Sequence, residues 1–382
     1  MKFFGALLAA AAVGTGFSLS GQERPFDLIV SGGLVIDGTG APGRVADVGV
    51  RGGEVASVGD LSRAQAAERI DARGLAVAPG FIDVHTHADD LADHPDAGNF
   101  ARMGVTTIVA GNCGGSAVDV GEAFTRIRAV RPAVNFATLI GHNSVRAAVM
   151  GSEQRAPTLP ELDRMKALVF KAMVEGAVGL STGLQYVPGT YAETPEIVEL
   201  GGVAANEGGL YASHMRNEGT ALEDAIRETL LVGERSGARV QISHLKVDAK
   251  SRWGASSIAL RMIDDARRRG LDVRADQYAY TAASSGLGIR FPSWALEGGR
   301  EKTRERLNDP ETWARIKEEM LGLVTERGFE DLSWAVIASY AADPSLNGLS
   351  MAEAAERMLG SRSAGAQFEM ARVLMVNARP AP

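Results

Sequence analysis

The chain has 382 residues, 45% apolar and 23% charged, with 40 Lys and Arg against 47 Asp and Glu for a net charge of −7. That composition excludes a largely disordered chain. The acidic balance argues against a nucleic-acid partner, which needs a basic face to displace counterions, and the basic run at 267–269 is too short to reverse it.

Residues 1–22, MKFFGALLAAAAVGTGFSLSGQ, carry one Lys, an Ala-rich apolar run over 3–13 and then small residues. This is the layout of a secretory signal peptide, and the run falls short of the roughly 20 residues that span a bilayer. The expected location is exported, periplasmic or secreted, with no membrane contact beyond export. The plainer alternative is a structureless start. Cys113 is the single cysteine, so no internal disulfide can form; its thiol is either buried and inert or binds something.

Residues 26–77 are β-branched and punctuated by glycine: FDLIVSGGLVID, ADVGVRGGEVASVG, ERIDARGLAV. They read as small antiparallel strands joined by tight turns, a small β-sandwich part assigned to 23–77. Gly38, Gly40 and Gly43 spell G-x-G-x-x-G after a strand. A dinucleotide site needs a helix immediately afterwards, to face the pyrophosphate with its N-terminus. Here Pro42 sits inside the motif and another strand follows, so the glycines read as a turn.

From residue 78 to 382 short apolar runs alternate with helical stretches. The strand candidates are 77–87, 105–114, 135–143, 177–186, 210–216, 239–247 and 271–280, and the helical ones include 157–176, 194–208, 223–237 and 257–270. Such alternation gives parallel β/α units, hence an α/β fold with a doubly wound sheet or a barrel.

His85, His87, Cys113, His142, His214 and His244 each fall at or just past the end of an apolar run, whereas His94, followed by Pro95, lies in a loop. In parallel β/α proteins the C-terminal strand ends share one mouth. One such histidine alone is more often a hydrogen-bonded structural residue. Five of them with the only cysteine point to a metal centre, because imidazole and thiolate are preferred zinc ligands. His85 and His87 are alternate residues, so a strand would send both to one side. His214 and His244 are one β/α repeat apart, on neighbouring strands. Adjacent sequence alone does not fix a ligand set.

The motifs PGFIDVHTHAD, GVTTIVAGNCG, EGAVGLSTGLQYVPG, YASHMRNEG, ISHLK and DQYAYTA resemble those of the amidohydrolase superfamily, in its D-aminoacylase (N-acyl-D-amino-acid deacylase) branch, over about 26–366. The resemblance implies a metal-dependent-hydrolase (β/α)8-type barrel with a small N-terminal β domain. It implies a tight zinc site of Cys113, His214 and His244, and a weaker second metal position at His85 and His87. Tyr186, Lys246 and Tyr278, the last more than Tyr280, match the family's contacts to substrate carboxylate and carbonyl, with packing as the plainer role for each tyrosine. Arg216 and Glu218 are expected to support the site or the substrate, and His142 to shape it. The implied reaction is deacylation of an N-acyl-D-amino acid, a small-molecule substrate.

One part of the pattern is missing. The family's eighth strand ends in Ser-Asp-Gly, whose Asp is the acid/base, and no such segment is found. Asp343 in SYAADPSLNG matches a segment before that strand, and ARVLMVNARPAP begins where its approach would lie. The expectation is a barrel lacking strand eight, an unidentified catalytic carboxylate, and little turnover, with Asp89 and Asp276 as the strand-end acids to consider. The rival readings are an inactive metal-binding fragment and another amidohydrolase, dihydroorotase- or dipeptidase-like. The latter would use a carboxylated lysine, which the GNCG cysteine speaks against.

Overall fold

The computed structural model describes residues 25–378, and the expected leader over 1–22 lies outside them. The chain divides into two units, one ending at Gly80 and the other running from Phe81.

In the first unit, β1 (Phe26–Val35), β2 (Arg44–Arg51), β3 (Glu54–Gly59), β4 (Ala66–Asp71) and β5 (Ala76–Val77) form one sheet. β1, β2 and β3 are antiparallel neighbours, but β4 and β5 run parallel to β1, unlike the expected all-antiparallel arrangement. After β3 the chain crosses over and returns along the free edge of β1. Arg69 fixes that crossing, donating to Ser31 Oγ and to the carbonyls of Leu61 and Ala64. Gly38 and Gly40 sit in an exposed turn at φ 80° and 86°, and the strand β2 follows them. Among the described residues no helix directly follows those glycines, so the motif has no helix N-terminus to face a phosphate.

The second unit runs β6 (Phe81–Asp83), α1 (Gly98–Ala101), β7 (Val105–Ala110), α2 (Val120–Val130), β8 (Asn135–Thr138), β9 (Ile140–Gly141), α3 (His142–Met150) and α4 (Leu159–Val174). It continues with β10 (Gly179–Gly183), α5 (Thr194–Asn206), β11 (Leu210–His214), α6 (Leu222–Ser236), β12 (Arg239–Ile242), α7 (Ser256–Arg268) and β13 (Val273–Ala275). β6, β7 and β8 form one parallel sheet and β9 to β13 another, each strand beside the next in chain order. β8 and β9 are one run interrupted at Leu139, which donates to Ala110 O on one side while Thr138 O accepts from Val178 on the other. Among the described residues no pairing joins β6 to β13, so no closed barrel is formed.

The helices form where capping and spacing direct them. Thr158 and Glu161 make a reciprocal capping box at the start of α4, and Gly237 closes α6 in the left-handed region at φ 75°. Their apolar stripes bury Met165, Val169, Ile197, Ile226 and Ile263 against Ile140, Leu180, Val240 and Ile242 of the strands. Each such fully buried side chain contributes about 1.5–3 kcal/mol. The strands are shorter than the apolar runs that announced them: β6 stops at Asp83 and β12 at Ile242, leaving the remaining residues to loops at the strand ends.

Beyond β13 lies a helical region of α8 (Gly299–Asn308), α9 (Pro310–Glu326), α10 (Met351–Leu359) and α11 (Ala364–Asn377). It has its own core of Phe291, Trp313, Ile316, Met320, Phe368 and Leu374. Residues 371–377, expected as the approach to a further strand, are the last turns of α11. Phe368, Ala371 and Leu374 recur every third residue and are buried, which is helical rather than strand spacing. Asp343 caps a short exposed turn through Ser345. Among the described residues no helix is long and apolar enough to cross a membrane.

Candidate metal centre

Each candidate side chain sits at the C-terminal end of a parallel strand. His85 follows β6 by two residues, Cys113 follows β7 by three, His214 ends β11, His244 follows β12 by two and Asp276 directly follows β13. The ends of the parallel succession therefore meet at their side chains: His85 Nδ1 lies 3.2 Å from Asp276 Oδ1.

Cys113 is the point of convergence. Its Sγ is 3.4 Å from His85 Nε2 and 3.5 Å from His244 Nε2. Behind each imidazole stands a carboxylate, Asp276 facing His85 Nδ1 and Glu218 Oε1 lying 2.9 Å from His244 Nδ1. Neither contact lies along a hydrogen-bond axis, which leaves His85 Nδ1 and Glu218 Oε1 without a directed hydrogen bond. The arrangement nonetheless leaves both Nε2 atoms turned to the sulfur, as carboxylate–imidazole–metal triads do. Two groups of potential ligand atoms lie within 4.8 Å of one another: His85, Cys113 and His244, and His214, Glu218 and His244.

The backbone is strained where these ligands sit. Cys113 and His244 are non-glycine residues at φ 53° and 36°, a conformation that persists only when its surroundings impose it. Around Cys113, Ser181 Oγ accepts from Gly114 N and donates to Gly111 O. Around His244, Asp276 Oδ1 accepts the His244 amide while Gln241 holds the other oxygen.

Burial pushes the Cys113 thiol up to about 12, with Glu218 adding to the shift and Lys246 opposing it. Without an ion the sulfur is therefore a thiol, and a metal must displace its proton. Burial likewise pushes His214 down to about 3, against the pull of Glu218, so its ring is neutral. Burial alone would raise Glu218, but His244, His214 and Lys246 outweigh it and hold the carboxyl at about 2.

His214 supplies the test of fit. It is 4% exposed, and neither of its ring nitrogens has a hydrogen-bond partner. An unpartnered buried polar group costs about 1–3 kcal/mol. A cation held between His214 and His244, whose ligand atoms lie within one close group, would satisfy one nitrogen with the neutral imidazole that zinc prefers. The donors fit the metal.

The other expected residues divide. His87 is exposed; its ring lies 5.5 Å from that of His85, but it belongs to neither close group. The Tyr186 ring packs 4.7 Å from His214, and its hydroxyl is 3.4 Å from Ser285 Oγ. Lys246 Nζ is 2.6 Å from Glu218 Oε2 and 5.8 Å above the half-buried Tyr278 ring. Arg216 is spent structurally, gripping Glu228 and the carbonyls of Thr190 and Ala192. Fully buried His142 faces Glu196 at 2.8 Å, outside the cluster. Asp89 accepts from Gly111 N, bracing the Cys113 turn rather than facing the sulfur.

Sequence reasoning gave Glu218 only a supporting place and missed Arg290. Glu218 lies four residues after His214, a separation the strand-end rule does not weigh. Arg290 follows no strand, and no residue periodicity marks it. Its guanidinium stands 5.0 Å over the Trp334 ring with no ion pair among the described residues. Burial lowers its pKa, Arg327 adds to that, and Asp248 and Tyr186 pull the other way.

Comparison with known proteins gives a consistent picture. Residues 68–257 match the model of the amidohydrolase family. The chain is 42% identical over 288 residues to an N-acyl-D-glutamate deacylase of Alcaligenes xylosoxydans xylosoxydans, covering 69% of this chain and 59% of the relative. A D-aminoacylase crystal structure superposes with a TM-score of 0.75 at 37% identity, covering 92% of this chain and 70% of that one. An N-acyl-D-glutamate deacylase from Bordetella bronchiseptica, solved with zinc and a phosphonate mimic of the tetrahedral intermediate, gives 0.77 at 34% identity, covering 93% and 71%. The chain spans about three-fifths of the length of the curated relatives it matches.

Proposed function

Because the chain belongs to the amidohydrolase family, we propose that it is a zinc-dependent hydrolase that deacylates N-acyl-D-amino acids. The observation that carries this reading is the convergence of His85 and His244 on Cys113, with the His214 ring 4.6 Å from that of His244 and both His214 nitrogens unpartnered. The eight parallel strands β6 to β13, each beside the next in chain order within two sheets, support reading the scaffold as the wall of a (β/α) barrel whose mouth holds the site.

Cys113, His214 and His244 would hold the ion, with His85 and His87 as a second, weaker position. Bound there, zinc supplies Lewis acidity and brings the pKa of water down to about 7. The protein's own groups do the rest. Burial keeps the Tyr186 hydroxyl protonated, its pKa pushed up to about 12, so at neutral pH it can donate to the oxygen of an amide carbonyl. Lys246 offers the substrate carboxylate a cation, and Tyr278, whose ring lies 5.8 Å from that ammonium, a hydroxyl. Arg290, a half-buried cation over the Trp334 ring with no ion partner among the described residues, favours a substrate whose side chain carries a second carboxylate.

A specific observation favours a second reading, that of a chain which binds metal with little turnover. Glu218 is committed to Lys246 and His244, and Asp276 to His85, Gln241 and the His244 amide. Each carboxylate nearest the centre already has partners that hold its charge.

One assay separates the readings. The zinc-loaded chain is expected to release acetate from N-acetyl-D-glutamate and not from the L enantiomer. Arg290→Ala should lower kcat/KM for that substrate about 10- to 100-fold and leave N-acetyl-D-leucine within about threefold, since only the acidic substrate loses a charge-assisted partner. Equal rates on both enantiomers would overturn the D-amino-acid assignment. Absence of release from any of them, with zinc bound, would establish the second reading.

A further inference from the structure

Asn143 is none of the proposed metal ligands, and of the residues assigned above to substrate it meets only the backbone of Tyr186; it is 9% exposed and every polar atom of its side chain is used. It stands at the start of α3, where the run 135–141 leaves the parallel sheets. Its Oδ1 accepts from Gly183 N at 3.2 Å, and its Nδ2 donates to Gly183 O at 3.0 Å and to Tyr186 O at 3.3 Å. The amide thus pairs with the turn after β10 as a peptide group would, and that turn presents Tyr186 to His214.

The same side chain bears on the Cys113 turn from the other side. A Cβ on Gly114 would fall 2.2 Å from Asn143 Oδ1, and one on Gly183 would fall 2.1 Å from Cys113 O. Gly189, at the far end of the Tyr186 loop, is equally close, with 2.4 Å from its Cβ position to Asn143 Oδ1. Three glycines therefore leave space that the Asn143 amide and the Cys113 backbone fill. Ser144, the next residue, donates its amide to Gly114 O at 3.1 Å.

Asn143 is itself fixed from behind. His142 and Arg146, on the same short helix and fully buried, both close on Glu196 of α5, at 2.8 Å and 2.5 Å. Arg146 also donates to Arg155 O at 2.6 Å. A buried, paired cation–carboxylate–imidazole cluster is costly to rearrange, so it makes the start of α3 a firm anchor.

We propose that Asn143 is a positioning residue that locks the Cys113 turn and the Tyr186 turn into one register. It would set the distance between a metal ligand and the hydroxyl aimed at the carbonyl without contacting either ion or substrate. The role given to Tyr186 rests on the deacylase reading; the clamp itself rests on the contacts above. The amide is required because three bonds need both an acceptor and a two-hydrogen donor in one planar group. Asp keeps the acceptor and loses both donations.

The test uses Asn143→Asp, Asn143→Ala and Tyr186→Phe, singly and combined, in the full chain. Asn143→Asp should lower kcat about 10- to 100-fold, the scale of a small misplacement of a reacting group, while KM stays within about threefold. In the Tyr186→Phe background the same change should cost little more, because its effect passes through the Tyr186 hydroxyl. A second readout needs no substrate: in the cobalt(II)-loaded chain the thiolate-to-metal absorption of Cys113 should shift or weaken in Asn143→Asp with the metal still bound. Should Asn143→Asp fail to fold, Asn143→Ala replaces it in both arms. Losses that multiply independently with Tyr186→Phe, or an unchanged kcat, would overturn the proposal. If the parent chain has no deacylase activity, the cobalt spectrum decides alone, and an unchanged band in a folded variant refutes the clamp.

Discussion

Cys113→Ala is expected to strip the chain of its zinc. The sulfur lies within 3.5 Å of two imidazole nitrogens from different strand ends, His85 Nε2 and His244 Nε2. Removing it takes away the softest donor and leaves nitrogens that must hold an ion from one side. Structural zinc sites contribute about 10–16 kcal/mol of apparent binding free energy, and the loss of one of about four ligands should weaken affinity at least a hundredfold. Metal analysis after gel filtration reads this directly. His94→Ala, in an exposed loop 3.8 Å from Asp90, serves as the control with unchanged metal content. Stoichiometric zinc retained by Cys113→Ala would remove the sulfur from the ligand set.

The second large effect concerns Glu218. It is 2% exposed and compensates Lys246, which is itself mostly buried, while standing behind His244. Glu218→Ala leaves a buried ammonium without its counter-ion, a change that costs about 3–5 kcal/mol. It also frees His244 to rotate, and loss of such an outer partner typically weakens metal binding about 10- to 100-fold. Glu218→Gln preserves shape and one acceptor, so its unfolding midpoint should fall less. Denaturant unfolding and zinc titration of the two variants check this together. A Glu218→Ala protein as stable as its parent, with unaltered zinc affinity, would show that the carboxylate neither compensates Lys246 nor orients His244.

Much of the scaffold was legible because its signals are local. The helices α4 to α7 each carry a 3.6-residue apolar stripe, and two of them carry cap residues that stop or start the chain. The strand-end rule led to His85, Cys113, His214 and His244 because parallel β/α units place those ends together whatever the loops between them. What stayed hidden depends on distant contacts. The direction of β4 follows from a crossover fixed by Arg69, which no alternation of residue types encodes. The resemblance sets ARVLMVNARPAP on the approach to an eighth strand, whereas Ala364–Asn377 is a helix whose burial is decided by packing on α8 to α10. Asn143 lies beside a histidine of stronger chemistry, and its use becomes visible only when three glycines, of the Cys113 turn and the Tyr186 loop, close around it.

X-ray absorption at the zinc edge of the reconstituted chain is the most direct test that these strand ends build one metal centre. A shell containing one sulfur at about 2.3 Å with imidazole nitrogens at about 2.0–2.1 Å is expected, with the sulfur contribution absent in Cys113→Ala. A shell of oxygen donors alone, unchanged by that substitution, would contradict the assignment of Cys113, His214 and His244 as the ligands of the site.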